Sequence, residues 1–210
     1  MKAKLLPVLL LFALPVMAQK DPAAGKILDG FSGAALSAPS VSMEFTLRVD
    51  DKVEDTVQES EGIVVIKGNM YMLEIPENII WYNGSSTWTL SPEVKEVTVT
   101  LPDPEENSFM TSPSSLFDMY KEGFKYRLLQ ETQQGSLIDL YPEDPSDTDF
   151  SMIRLLIGKQ GDLVSAEYKR KDGIDLYLNI TRYSLTEEYS DSYFTFDPSR
   201  YPDVDIIDMR

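Results

Sequence analysis

Val41-Ser42-Met43-Glu44-Phe45-Thr46-Leu47-Arg48-Val49 places an apolar residue at every second position with polar residues between them. Successive side chains of an extended chain point to opposite faces, so this period of two marks a strand with one buried face and one wet face. Downstream the same signal recurs. Strands are expected near 61–67, 70–75, 78–83, 86–91, 94–101, 124–130, 136–141, 150–157, 162–170, 174–183 and 192–196. Gly68-Asn69, Asn83-Gly84, Gly135-Ser136, Gln160-Gly161 and Asp172-Gly173 fall between them. Glycine and asparagine accept the positive φ of tight hairpins. So many hairpins in series predict an antiparallel meander, mainly β with a small helical part.

Upstream of Val41 the period changes to that of a helix. Asp21 is placed to cap it, with Pro22 at its first position. Ala24, Ile27, Leu28, Phe31 and Ala35 then share one face. Gly25, Gly30 and Gly33 weaken this helix by about 1 kcal/mol each relative to alanine, so packing must hold it. The meander is interrupted once, at 102–114, by Pro102, Pro104 and Pro113 among acidic residues. Ser112-Pro113 then opens a short helix that presents Leu116, Phe117 and Tyr120. An apolar helix inside a meander suggests something laid across the sheet.

Composition removes whole classes of function. There is no histidine and no cysteine among the 210 residues, so Ser-His-Asp and Cys-His nucleophiles and the usual zinc ligand sets are absent. No phosphate-binding glycine motif is present. We therefore expect neither an enzyme nor a cofactor nor a metal. A formal charge of −16 argues against nucleic acid as a partner. At the N-terminus, Lys2 and Lys4 precede the apolar run Leu5–Pro15, and Val16-Met17-Ala18 supplies a small residue at its end. That pattern is a cleavable export signal over 1–18, too short to span a bilayer, leaving 19–210 as one soluble domain.

The segment Glu61-Gly62-Ile63-Val64-Val65-Ile66-Lys67-Gly68-Asn69-Met70-Tyr71 resembles the second and third strands of the periplasmic outer-membrane lipoprotein carriers, the LolA family. Ile79-Ile80-Trp81-Tyr82-Asn83-Gly84, followed by Trp88 and Pro92, is similar to another stretch of that family. Phe194-Thr195-Phe196-Asp197-Pro198 and Val204-Asp205-Ile206-Ile207-Asp208 resemble its closing strands. The resemblance implies a half-open antiparallel β-barrel of about eleven strands with short lid helices over a concave apolar face. It implies a monomeric periplasmic chaperone that shelters the acyl chains of lipoproteins between the inner and the outer membrane. Its implied partners are acylated lipoproteins, an inner-membrane lipoprotein-releasing ABC transporter and an outer-membrane receptor. That receptor shares the fold but is anchored through a cysteine, which this chain lacks. The family commonly carries an arginine after the second strand that helps hold the lid, and Lys67 stands there, without the forked donors of a guanidinium.

Methionine and aromatic side chains suit a broad adaptable apolar surface. The face expected to line the cavity carries Met43, Phe45 and Leu47 with Tyr71, Leu73 and Trp88, to which Val65 and Trp81 are added. The expected lid residues are Ile27, Leu28, Phe31, Leu116, Phe117 and Tyr120, with Lys67 as a lid contact. The same residues would also serve an ordinary core, and alternation alone does not say which side encloses a cavity. A second function therefore stays open: a half-barrel that binds free lipid or senses the state of the envelope, without transporting lipoproteins.

Overall fold

The computed structural model describes residues 20–102 and 112–210. The expected export signal and much of the proline-bearing interruption lie outside the described residues. One helix, α1 (Pro22–Ser37), precedes β1 (Val41–Asp51), β2 (Thr56–Lys67), β3 (Met70–Glu74), β4 (Ile79–Tyr82), β5 (Thr87–Ser91) and β6 (Glu96–Thr100). After two 3-10 turns, Pro113–Phe117 and Met119–Lys121, come β7 (Phe124–Glu131), β8 (Gly135–Pro142), β9 (Phe150–Gly158), β10 (Leu163–Arg170) and β11 (Ile174–Ser184). A final strand, β12 (Asp205–Asp208), closes the chain.

These strands form one open sheet in the order β12-β6-β5-β4-β3-β2-β1-β11-β10-β9-β8-β7. It is the expected half-open barrel, and β7 and β12 are its outermost strands among the described residues. The expected single meander is instead two, β1–β6 and β7–β11, joined where β1 pairs with β11 from Ser42↔Ser184 to Asp51↔Ile174. Pro102, just past β6, and Pro113, which opens the first 3-10 turn, flank the break, and neither has a backbone donor for a further strand. The chain instead leaves β6 near one edge and enters β7 at the other. On the way it leaves its 3-10 turns against the sheet, where a helix was expected.

A second expectation fails at 192–196. That segment is no strand: Asp191–Phe194 is a 3-10 turn within a strap that leaves β11, crosses one face of the β1–β6 half, and ends in β12. Phe194 and Phe196 alternate as strand residues would, but they pack onto the sheet from above. Unlike the other strand pairs among the described residues, β12 and β6 run parallel, Asp205↔Glu96 through Asp208↔Val99.

Alternation sorts the apolar side chains into two cores. The larger core lies inside the curve and joins α1 and both 3-10 turns to Met43, Val64, Leu73, Ile138, Leu140, Ile153 and their neighbours. The smaller core lies outside, between β2–β6 and the strap. In the hairpins, Gly68, Gly84, Gly161 and Gly173 have the positive φ their turns require. Gly135 answers a different need, since a side chain there would collide with the backbone of Ile157 and Gly158.

α1 is fixed at its start. The Asp21 carboxylate accepts from the Ala23 amide at 2.8 Å and from the Leu128 amide of β7 at 3.0 Å. Those amides hold its carboxyl below the usual carboxylate range. Gly25 lies close to β7: a Cβ there would sit 3.2 Å from the Tyr126 hydroxyl, which would have to give by a few tenths of an ångström. Gly30 and Gly33 face open space, with nothing within 4 Å. Gly30→Ala and Gly33→Ala are each expected to stabilise the fold by about 1 kcal/mol, raising Tm by about 2–4 °C in thermal melts. An unchanged or lower Tm would show that the helix is not under this backbone cost.

Candidate functional site

The concave face is apolar and covered. Met43, Phe45, Tyr71 and Leu73 are buried in the inner core, and Leu47 packs at its margin. From α1 and the two 3-10 turns, Leu28, Phe31, Leu116, Phe117 and Tyr120 are buried in the same core, and Ile27 packs against it. The Phe31 and Phe117 rings lie 5.5 Å apart, joining α1 to the first 3-10 turn. Tyr120 donates its hydroxyl to Asp29 Oδ1 at 2.6 Å, joining the second turn to the polar side of α1. Burial and that bond push the Tyr120 phenol up to about 12, so it remains a donor throughout the neutral range. The side chains of α1 and the two 3-10 turns thus pack directly onto the concave face.

Val65, Trp81 and Trp88 do not join this face. They belong to the outer core, where the Trp81 ring meets Phe196 at 5.6 Å and Tyr201 at 5.8 Å. Register explains the separation. Val65 lies between the inner residues Val64 and Ile66, and Met72, Trp81 and Trp88 continue its row across the sheet. Lys67 shares Val65's side of β2 and contacts the strap instead of the lid. Its ammonium donates to the Tyr189 carbonyl at 2.9 Å and to Asp191 Oδ1 at 2.7 Å.

The second meander supplies half of the inner face. Ile138, Leu140, Ile153, Leu155, Ile157 and Leu178 are all buried there, and none was among the expected lining residues. The alternation Ile153-Leu155-Ile157 was the signal that could have found them.

Outside the curve the β7–β11 half is polar. Asp139, fully buried, accepts from Arg154 Nε at 2.7 Å and Nη2 at 3.1 Å and from the Tyr141 hydroxyl at 2.9 Å. Burial alone would raise its carboxyl, but the Arg154 and Tyr141 bonds outweigh this and hold it below the usual range. Asp175 is buried against Lys52 and Lys169 at 2.5 and 2.8 Å, with the same outcome. Both buried carboxylates are thus bound to cations, an arrangement suited to holding strands together. Among the described residues no group of three acidic side chains is disposed to hold a metal ion. Two clefts also open on the outside. One of about 580 Å3 lies over Ile63, between Glu44, Glu61 and Glu74, and one of about 430 Å3 lies under the strap, beside Trp81 and Tyr201.

The family of the outer membrane lipoprotein carrier protein LolA matches residues 14–141. No curated protein matches the sequence. Among solved structures, an uncharacterized conserved protein from Thermus thermophilus superposes with a TM-score of 0.57 at 11% identity, covering 89% of this chain and 99% of its own. That likeness shows a shared fold. A LolA superfamily protein from Nitrosomonas europaea gives a TM-score of 0.45 at 14% identity, covering 83% of this chain and 98% of its own. The lipoprotein LppX from Mycobacterium tuberculosis gives 0.43 at 15%, covering 81% and 100%.

Proposed function

The chain belongs to the outer membrane lipoprotein carrier protein LolA family, and from that membership we propose that it binds the acyl chains of lipoproteins on its concave face and carries them from the inner to the outer membrane. In this reading residues 1–18 direct export to the periplasm, and 19–210 act as a single free carrier unit. An inner-membrane ABC transporter loads it, and an outer-membrane receptor unloads it.

One observation supports the reading most: the cover of the concave face is apolar and made of separate pieces, one helix and two 3-10 turns. Burying Leu28, Phe31, Leu116 and Phe117 contributes roughly 1.5–3 kcal/mol each, about 6–12 kcal/mol together. A sixteen-carbon acyl chain gains roughly 12 kcal/mol from burial at about 0.8 kcal/mol per methylene. One acyl chain is therefore worth about as much to the sheet as the lid it displaces. Each further chain favours loading, and release needs an acceptor that offers the chains comparable burial. No catalytic step is needed.

The Tyr120–Asp29 bond is a polar latch on the closed lid. Such a bond to a charged group contributes about 1.5–3 kcal/mol. Tyr120→Phe is therefore expected to favour opening and to tighten binding of a fluorescent acyl probe about tenfold or more. Unchanged or weaker binding would show that the bond does not restrain the lid. The function itself is tested by purifying the exported chain from cells making a labelled lipoprotein. Co-purifying acylated cargo is expected. Free lipid alone would favour the lipid-binding alternative. Absence of cargo, together with no release of lipoprotein from membranes on adding the protein, would overturn the proposal.

A further inference from the structure

A face that held only hydrocarbon would have no use for hydroxyl groups, yet six of the eleven tyrosines lie in or against the inner core: Tyr71, Tyr82, Tyr120, Tyr126, Tyr168 and Tyr183. Tyr183 differs from the rest. Its hydroxyl is buried and has no hydrogen-bond partner among the described residues. Leaving a desolvated hydroxyl unpaired costs about 1–3 kcal/mol, a cost that phenylalanine would avoid in the same space.

Its position in the fold is specific. Tyr183 lies opposite Met43 in the β1–β11 pairing, at the end of the sheet where α1 runs through Ala38 into β1. The ring packs against the inner core. Burial, with the charge of Asp162 from the β9–β10 turn, pushes the phenol up, so it is a proton donor at any physiological pH. A buried donor at the attached end of a lid calls for an acceptor that arrives with the ligand. A hydrocarbon tail has none. The carbonyl oxygens that join acyl chains to their headgroup are acceptors only, and they stand at the head of the chains.

Resting on the acyl-binding reading above, we infer that Tyr183 is a specificity-determining residue that donates its hydroxyl to an ester carbonyl of the bound ligand, so that the concave face selects acyl esters over hydrocarbon chains of equal length. The bond fixes the polarity of the ligand as well. The ester linkage lies at the α1–β1 end, and the chains run inward over Met43 and the inner faces of β8–β11.

The test compares dioleoylglycerol with its dioleyl ether analogue, which has the same chains and no carbonyl, by competition against a fluorescent acyl probe. The unaltered protein is expected to prefer the diester about five- to tenfold, the worth of one hydrogen bond. Tyr183→Phe, which keeps the ring and removes only the unpaired hydroxyl, is expected to abolish that preference, leave ether binding unchanged, and melt at the same or a higher temperature. Equal binding of ester and ether by the unaltered protein overturns the inference. So does an ester preference that survives in Tyr183→Phe. Both leave acyl binding itself standing. Failure to bind either compound overturns the acyl-binding reading, and this inference with it.

Discussion

Phe31→Ala is expected to lower stability by about 3–5 kcal/mol and, in the same protein, to tighten acyl binding. Phe31 is almost fully buried, with its ring 5.5 Å from that of Phe117. Truncating it removes the largest side chain that α1 places in the core and opens space beneath the lid. An ordinary core residue would show only the first effect. Phe45 is the control, because it is equally buried but belongs to the sheet that the ligand would lie against. Phe45→Ala is expected to lose similar stability and to weaken acyl binding, since a wall contact is lost. Urea unfolding gives the stabilities, and titration with a fluorescent acyl probe gives the affinities. Should both variants weaken binding alike, Phe31 is core and the lid reading of α1 fails.

The second large effect lies on the opposite face. Asp139→Ala is expected to cost about 3 kcal/mol, because it leaves Arg154 with only the more distant carboxylate of Glu167, at 3.7 Å. This is at the low end for a buried pair, since the Arg154 side chain is 32% exposed and regains some hydration. The acid dependence has a definite sign. Asp139 titrates lower in the fold than in the unfolded chain, where an aspartate has a pKa of about 3.9. Its stabilisation is therefore fully present above about pH 4 and is lost as pH falls through the depressed value. Asp139→Ala is expected to flatten the fall of stability below about pH 4 while acyl binding at neutral pH stays unchanged. Unaltered acid sensitivity would show that the Arg154 pair does not govern it.

How far the sequence disclosed these sites depended on whether both faces of a strand were covered. β1 was legible because its outer positions, Ser42, Glu44 and Thr46, are polar. Met43, Phe45 and Leu47 were accordingly placed together, and the structure puts them on one face. The runs Ile63-Val64-Val65-Ile66 and Ile79-Ile80-Trp81-Tyr82 have no such contrast, because both faces are apolar: Val65, Ile79 and Trp81 pack in the outer core with the strap, and Ile63 lines the outer cleft. A continuous apolar run names no face, so Val65 and Trp81 were grouped with residues on the other side of the sheet. Trp88 was likewise placed with the inner residues, and the register sets it opposite Trp81 on the outer face. The strap itself was hidden for a related reason. Phe194 and Phe196 have strand-like spacing, and only tertiary packing shows that they lie across the sheet. In α1, by contrast, spacings of three and four between apolar residues left only one face to bury, and Ala24, Leu28, Phe31 and Ala35 are buried.

That acyl chains take the place of the lid is tested most directly by hydrogen exchange, with and without a triacylated lipopeptide. The account predicts that amides of residues 22–37 lose protection on binding, while β1 and β9–β11 keep theirs and the strap at 189–201 is unaffected. Binding that leaves α1 fully protected and alters the strap would place the ligand on the outer face and contradict the account.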